Sequence, residues 1–341
     1  MKSSELVKCL GKCLKANIVP FIQGAPGVGK SAIVRQAAEA TNLEMIDVRL
    51  AQCDVTDLNG FPKLTGDKAT FVPMDVFPLE SDPLPEGKKG WLLFLDELNS
   101  ANKSIQACAY KLILDRMVGQ HKLHPNVYII AAGNREEDGA VVNPLSTALR
   151  SRMVNVTLDV DVETWLNWAE SSNVDFRVLS FIKANGVKAL HDFNPDKIDQ
   201  AYPCPRTWEM MDKLLKSIEP RTENDYLELF MGTIGGTAAE FLAYIEVVDE
   251  LPTFDEIMNK KYKDPRGLKP GTKYLITYYT LQLLKQLKSN EECECMLDYV
   301  GKLDREYLPV FFSKALNYNV KMTSYKSFQE SMREFTSWIR Q

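Results

Sequence analysis

No stretch of this 341-residue chain stays apolar for the roughly 18–20 positions that a membrane-spanning helix requires. The first residues, Met1-Lys2-Ser3-Ser4-Glu5, run into an amphipathic, helix-like stretch interrupted by Lys8 and Lys12, which is no secretory signal core. A soluble, cytoplasmic protein is expected. Histidine is scarce: His121, His124 and His191 form no catalytic or metal-binding spacing. The seven cysteines (Cys9, Cys13, Cys53, Cys108, Cys204, Cys293, Cys295) are odd in number and scattered, which argues against a disulfide framework. Cys9 and Cys13 share a helix face, but neither this pair nor Cys293-Glu-Cys295 has the C-x₂-C spacing of a zinc site. Ordinary reduced thiols are expected. An excess of positive charge is missing too: 41 Lys and Arg face 46 Asp and Glu, a net charge of −5. Nothing global therefore points to nucleic acid. There is no internal repeat and no low-complexity tract.

What is present is ordinary in bulk, 45% hydrophobic and 26% charged, with length enough for two domains. The informative feature is local. Residues 24–31 read Gly24-Ala25-Pro26-Gly27-Val28-Gly29-Lys30-Ser31, a complete G-x-x-x-x-G-K-S loop. An apolar run, Asn17 to Ile22, precedes it, and a run of helix formers from Ala32 to Ala40 follows, with Ile33, Val34, Ala37 and Ala38 as its apolar positions. Strand, Gly-rich turn and helix are the context that gives the pattern a mechanism. Backbone N–H groups and the positive end of the helix dipole cradle phosphates. Lys30 then reaches the β- and γ-phosphates, and Ser31 offers its hydroxyl to Mg²⁺. A bound nucleoside triphosphate is expected.

The first 158 residues alternate strand-like and helix-like segments, the signature of a parallel α/β sheet. Strands are expected at 18–22, 44–49, 91–95, 127–132 and 153–158, and helices at 3–15, 30–41, 100–116 and near 145–150. Between 50 and 90 lies a connection with five prolines. Within it Phe61–Leu64 and Ala69–Val72 flank Thr65-Gly66-Asp67-Lys68, which reads as a β-hairpin. From Val162 the pattern turns helical: one helix carries Trp165, Leu166, Trp168 and Ala169, and another ends near Asn185-Gly186. Further helices fit 206–218, 224–232 and 237–248. After a basic, polar stretch from Asn259 to Gly271, the remainder is helical again. Its Tyr274/Tyr278/Leu281 and Leu275/Tyr279/Leu283 spacing reads as core.

Four further segments carry chemistry. Trp91-Leu-Leu-Phe-Leu95 delivers Asp96-Glu97 at a strand's C-terminal end, where open α/β sheets place ligands. Asp96 suits the Mg²⁺ shell, and Glu97 suits deprotonation of an attacking water. Val127 to Gly133 ends in Asn134, whose amide can hold that water between Glu97 and the γ-phosphate. Leu149-Arg150-Ser151-Arg152 closes the short helix and offers arginines to another nucleotide's γ-phosphate. In Cys204-Pro205-Arg206-Thr207-Trp208, Pro205 starts a helix and Arg206 lies in its first turn, where a cation opposes the helix dipole. That misfit suggests an arginine placed for phosphate rather than for stability.

In this order and spacing the motifs resemble the AAA+ ATPases, and more closely the MoxR-like branch, which is related to dynein-type and McrB-type modules with a helix-2 insert. The resemblance covers residues 1 to about 245. It implies that Gly24–Ser31 is Walker A, Asp96-Glu97 Walker B and Asn134 sensor 1. Arg152 would be the arginine finger with Arg150 a second candidate, and Arg206 in Cys-Pro-Arg would be sensor 2. Asp57-Leu-Asn-Gly60-Phe-Pro62 is similar to the stretch that opens the helix-2 insert, so the 61–72 hairpin would face a central pore. Three residues or segments depart from the pattern. Val118 to Leu123 leaves room for only a stub of the hairpin before sensor 1, Met153 replaces Phe, and Cys204 replaces Ser.

The implied protein binds ATP and Mg²⁺, hydrolyses ATP as a homo-hexamer and remodels a protein partner, often one with a von Willebrand A domain. Its domains would be 1–158 (α/β), 159–249 (helical lid) and 250–341 (helical extension). A nucleic-acid motor is the first rival, for which Lys63 and Lys68 on the hairpin speak. A P-loop small-molecule kinase is the second, and it has no use for a water base at Glu97.

Overall fold

Five strands form one parallel sheet, in the order Glu44–Arg49, Trp91–Asp96, Val127–Gly133, Pro20–Gln23 and Val154–Thr157. The computed structural model describes residues 1–135, 143–194, 201–217 and 226–339. The described residues fall into two compact units, one within Met1–Thr164, to which Phe193 and Asn194 also belong, and one within Trp165–Asp192 and Gln200–Gln341.

In the first unit α1 (Ser3–Lys15), β1 (Pro20–Gln23), α2 (Lys30–Thr41) and β2 (Glu44–Arg49) come first. They are followed by α3 (Val55–Asn59), β3 (Phe61–Thr65), β4 (Lys68–Val72), β5 (Trp91–Asp96) and α4 (Lys103–Asp115). After these come β6 (Met117–Val118), β7 (His121–Lys122), β8 (Val127–Gly133), α5 (Thr147–Arg150) and β9 (Val154–Thr157). The central strands are apolar up to their C-terminal residues because successive side chains feed opposite faces. Leu93 and Leu95 of β5, Ile129 and Ala131 of β8 and Phe21 of β1 pack with Leu58, Ile105, Ala109 and Leu112. Leu92, Phe94, Ile130, Ala132 and Ile22 pack on the other face with Leu6, Leu10, Ile33, Val34 and Ala37. Parallel pairing brings the C-terminal ends of β5, β8 and β1 to one edge, with Leu95 opposite Ala131 and Ala131 opposite Phe21.

All five expected strands are present with boundaries moved by one or two residues. The helix expected over 100–116 starts later, at Lys103. The chain first turns with the Ser100 and Ala101 N–H groups on the Glu97 carbonyl, and Asn102 then caps the helix by accepting from Ile105 N–H. It stops at Asp115 because Arg116 adopts a left-handed φ of 55°. The short helix expected over 145–150 is trimmed to Thr147–Arg150 by the Ser146 cap. Helix α3, absent from the sequence reading, opens with the Asp57 carboxylate accepting from Asp54 N–H at 2.7 Å.

The hairpin over 61–72 is formed, with Phe61 opposite Val72, Thr65 opposite Lys68 and Gly66-Asp67 as its turn. Gly60 at its root has φ 90°, and a Cβ there would lie 2.3 Å from the Val72 carbonyl oxygen, so only glycine fits. The hairpin is apolar on its surface: Leu64 is 81% exposed, and Phe61, Phe71 and Val72 are exposed as well. The stub expected at 118–123 is a hairpin of two-residue strands, Met117–Val118 and His121–Lys122. It is tied to the larger one where His121 Nε2 meets the Phe71 carbonyl at 2.9 Å.

The second unit is helical: α6 (Val162–Ser171), whose first residues lie in the first unit, then α7 (Phe176–Leu190), α8 (Pro205–Ser217), α9 (Tyr226–Ile234) and α10 (Thr237–Glu246). It continues with α11 (Phe254–Met258), α12 (Pro270–Leu283), α13 (Asn290–Val300), α14 (Leu308–Tyr318) and α15 (Lys326–Ile339). The helix expected to end near Asn185-Gly186 kinks there, with Gly186 at φ 71° and ψ −148°, and resumes to Leu190. Residues 218, 224 and 225, at the ends of expected helices, lie outside the described residues. Trp208 is fully buried among Phe181 and Phe241 and donates its indole N–H to the Ala189 carbonyl at 2.8 Å. Leu275, Tyr278 and Leu281 of α12 are buried, while Tyr274 and Tyr279 are half-buried. Among the described residues no helix is long and apolar enough to cross a membrane.

Candidate nucleotide site

β1 ends at Gln23, and the chain turns through Gly24 to Gly29 into α2. Gly29 has φ 96°, which lets the loop close directly onto the helix start. The Lys30 side chain is buried, and a buried ammonium is costly unless its protons are used. Its Nζ donates to the Gly24 carbonyl at 2.8 Å, the Ala25 carbonyl at 3.2 Å and the Asn134 Oδ1 at 3.0 Å. Two residues 104 apart in sequence thus meet because β1 and β8 are neighbours.

Ser31 Oγ donates to Asp96 Oδ2 at 2.9 Å. The other carboxylate oxygen of Asp96 accepts the Glu97 N–H at 2.9 Å, so Asp96 is fixed at both ends. Glu97 itself has φ 58°, an uncommon conformation for a residue with a Cβ. The chain turns abruptly there instead of running on as strand. On the edge strand β2, Arg49 is in register with Asp96. The Asp47 carboxyl is pushed above the usual range, mainly by burial and then by the Asp96 carboxylate.

The structure thus brings Lys30, Ser31, Asp96, Glu97 and Asn134 together at the C-terminal edge of the sheet. The arginines stand differently. Arg152, just beyond α5, folds back on its own unit: one guanidinium nitrogen donates to the Ala148 carbonyl at 2.9 Å, and the group lies 5.8 Å from the centre of the Tyr110 ring. Arg150 is the last residue of α5, and its carbonyl accepts from Asn155 Nδ2 at 3.0 Å. Arg206 follows Pro205 in the first turn of α8, exposed, in the second unit. It lies close enough to Glu209 to draw that carboxyl downward, against a larger upward push from burial.

One residue of the site escaped the sequence reading. Asn99 is 1% exposed; it donates to the Asn134 carbonyl at 2.7 Å and accepts the Asn134 N–H at 3.1 Å. The available signal was an amide two positions after Glu97, just past the acidic pair at the exit of an otherwise apolar strand.

Residues 20–153 match the family model described as the AAA domain (dynein-related subfamily). Among solved structures, the chain is similar to the RuvB Holliday junction branch migration motor of Thermotoga maritima, with 18% identity, 75% of this chain and 74% of that one covered, and a TM-score of 0.40. It is also similar to a putative ATPase from Cytophaga hutchinsonii, with 12% identity, 98% and 89% covered, and a TM-score of 0.38. A third similar structure is NtrX from Brucella abortus in complex with ADP, with 15% identity, 98% and 67% covered, and a TM-score of 0.39. Residues 20–153, which carry the P-loop, the acidic pair and four of the five sheet strands, are thus similar to an AAA domain of the dynein-related subfamily.

Proposed function

We propose that the chain is an AAA+ ring ATPase of MoxR type, which hydrolyses ATP to remodel a protein partner in the cytoplasm. The observation that carries the reading is the meeting of Lys30, Ser31, Asp96 and Asn134 at one sheet edge. Three acceptors of Lys30 Nζ, the Gly24 and Ala25 carbonyls and Asn134 Oδ1, are uncharged oxygens, and an anionic phosphate is a stronger acceptor than any of these three. Gly24–Ser31 then wraps the phosphates with its N–H groups. Ser31 and Asp96 fit Mg²⁺, which takes hard oxygen ligands and is held by one or two carboxylates with phosphates and water. Among the described residues no cluster of three or more His, Cys, Asp or Glu could hold a metal without such help. The ion, when bound, neutralises charge on the β- and γ-oxygens.

Glu97 takes the proton of the attacking water, and Asn134 orients that water. Arg152 reaches a neighbouring subunit's γ-phosphate once it leaves the Tyr110 ring; Arg150 is the alternative finger and Arg206 is sensor 2. The assembly is a homo-hexamer of subunits with an α/β domain (1–158), a lid (159–249) and an extension (250–341), and a von Willebrand A domain is the partner type. The hairpin favours polypeptide over nucleic acid: beside Lys63 and Lys68 it exposes Leu64, Phe61, Phe71 and Val72. A translocase on DNA needs phosphate contacts there, and those impose a steep salt dependence.

Light scattering with and without ATP tests the assembly, and turnover with unfolded polypeptide or single-stranded DNA tests the partner class. Particle size is expected to grow with ATP, and polypeptide is expected to stimulate turnover. A monomer with full activity at every concentration contradicts the ring. Stimulation by DNA alone, fading with salt, contradicts the remodelling role.

A further inference from the structure

Both polar ends of the buried Asn99 side chain are spent on one neighbour's backbone, the N–H and C=O of Asn134. The grip is close. A Cβ on residue 133 would lie 2.1 Å from Asn99 Oδ1 and 3.0 Å from the Phe21 ring, which leaves room only for Gly133. Around this grip the turn after β5 is held further: Leu98 N–H donates to the Ala132 carbonyl at the end of β8 at 2.9 Å, and Asn143 N–H, from the segment before α5, to the Asn99 carbonyl at 2.6 Å. Gln106, also buried, donates to the Ala101 and Asn143 carbonyls at 3.2 and 3.0 Å. Asn143 Nδ2 returns a bond to the Ala101 carbonyl at 3.0 Å.

We infer that Asn99 is a positioning residue for hydrolysis: it fixes the backbone on both sides of the Asn134 Cα, and with it the aim of the Asn134 amide, relative to the turn that carries Glu97. The inference rests on Asn134 being the amide that orients the attacking water. The base and the orienting amide come from different strands, and their separation must hold for the water to lie in line. A misplacement of about 1 Å costs about 10²-fold in rate. Two hydrogen bonds, one to each of the peptide groups that flank the Asn134 Cα, restrict the rotation of that residue as well as its position, which a single bond would not. Nucleotide binding draws instead on Lys30 and the loop N–H groups, so loosening the grip slows turnover and leaves affinity in place.

The test is a set of mutant cycles read by kcat and by nucleotide Kd, each measured separately. Asn134→Ala, which removes the orienting amide, is expected to slow turnover by about 10²–10³-fold. Asn99→Ala is expected to slow it by about tenfold or more with Kd within about twofold. Gly133→Ala removes no polar group but forces the grip open, so it is expected to act in the same direction and serves even where Asn99→Ala fails to fold. In the Asn134→Ala background each of the two changes kcat by less than about twofold, because there is no amide left to aim.

Three results overturn the inference. Wild-type turnover in Asn134→Ala removes its premise while leaving Lys30 and Glu97 to be judged on their own variants. Wild-type turnover in both Asn99→Ala and Gly133→Ala, beside a slow Asn134→Ala, removes the positioning role alone. Losses that persist undiminished in the Asn134→Ala background show a merely structural effect.

Discussion

Glu97 is held at φ 58°, where a Cβ crowds the following carbonyl at a cost of about 1–2 kcal/mol. The Glu97→Ala and Glu97→Gly variants both delete the carboxylate, so their comparison isolates the backbone. Alanine keeps the Cβ and its strain, whereas glycine removes it. Against glycine stands its larger conformational freedom in the unfolded chain, worth roughly 0.5–1 kcal/mol. The balance favours Glu97→Gly over Glu97→Ala by about 0.5–1 kcal/mol, a rise in melting temperature of about 1–4 °C for a unit of this size. Differential scanning calorimetry of the two variants reads the difference, and both are expected to be inactive in phosphate release. Equal melting temperatures, or a more stable Glu97→Ala, would refute the view that strain is stored at the acidic pair for function.

Lys30→Ala is expected to lose nucleotide binding, and Arg152→Ala to bind nucleotide but lose about 10³-fold or more in turnover. Titrating one variant into the other should restore part of the activity, because some interfaces then pair an intact Lys30 with an intact Arg152. Recovery with Arg150→Ala in place of Arg152→Ala moves the finger by two residues, and no recovery despite co-assembly contradicts a trans role. Away from the site, hydrogen bonds from the Arg266 guanidinium and backbone hold the Asp264 carboxyl at about 2 instead of 3.8. A depressed acid stabilises the fold above its unfolded value, and that share is lost as pH falls from about 4 towards 2. Carboxyl ¹³C titration is expected to place Asp264 near the lower value and to return it towards 3.8 in Arg266→Ala; a midpoint near 3.8 in the unaltered protein contradicts the pairing.

The parallel sheet was legible because its central strands, β5 above all, are buried on both faces and read as apolar runs between turns. The P-loop and the acidic pair were legible because each motif sits between a strand and a turn or helix, so spacing along the chain stands for proximity in space. The bond from Lys30 to Asn134 depends on β1 and β8 being neighbours, an order that spacing along the chain does not give. Asn99 was not legible either, because nothing in sequence separates an amide gripping a backbone from one in solvent. Helix α3 was hidden among prolines, where five residues give no period to detect. The return of Arg152 onto Tyr110 was invisible for a different reason: α4 and the end of α5 approach only through the fold.

Phosphate release from ATP with Mg²⁺, measured beside ATP binding in the unaltered protein and in Glu97→Gln, tests the central claim most directly. The amide keeps the shape of the carboxylate but cannot accept a proton. The account predicts ATP binding by both proteins, steady release by the first and release slower by about 10²-fold or more by the second. Binding without release by the unaltered protein, or undiminished release by Glu97→Gln, would contradict it.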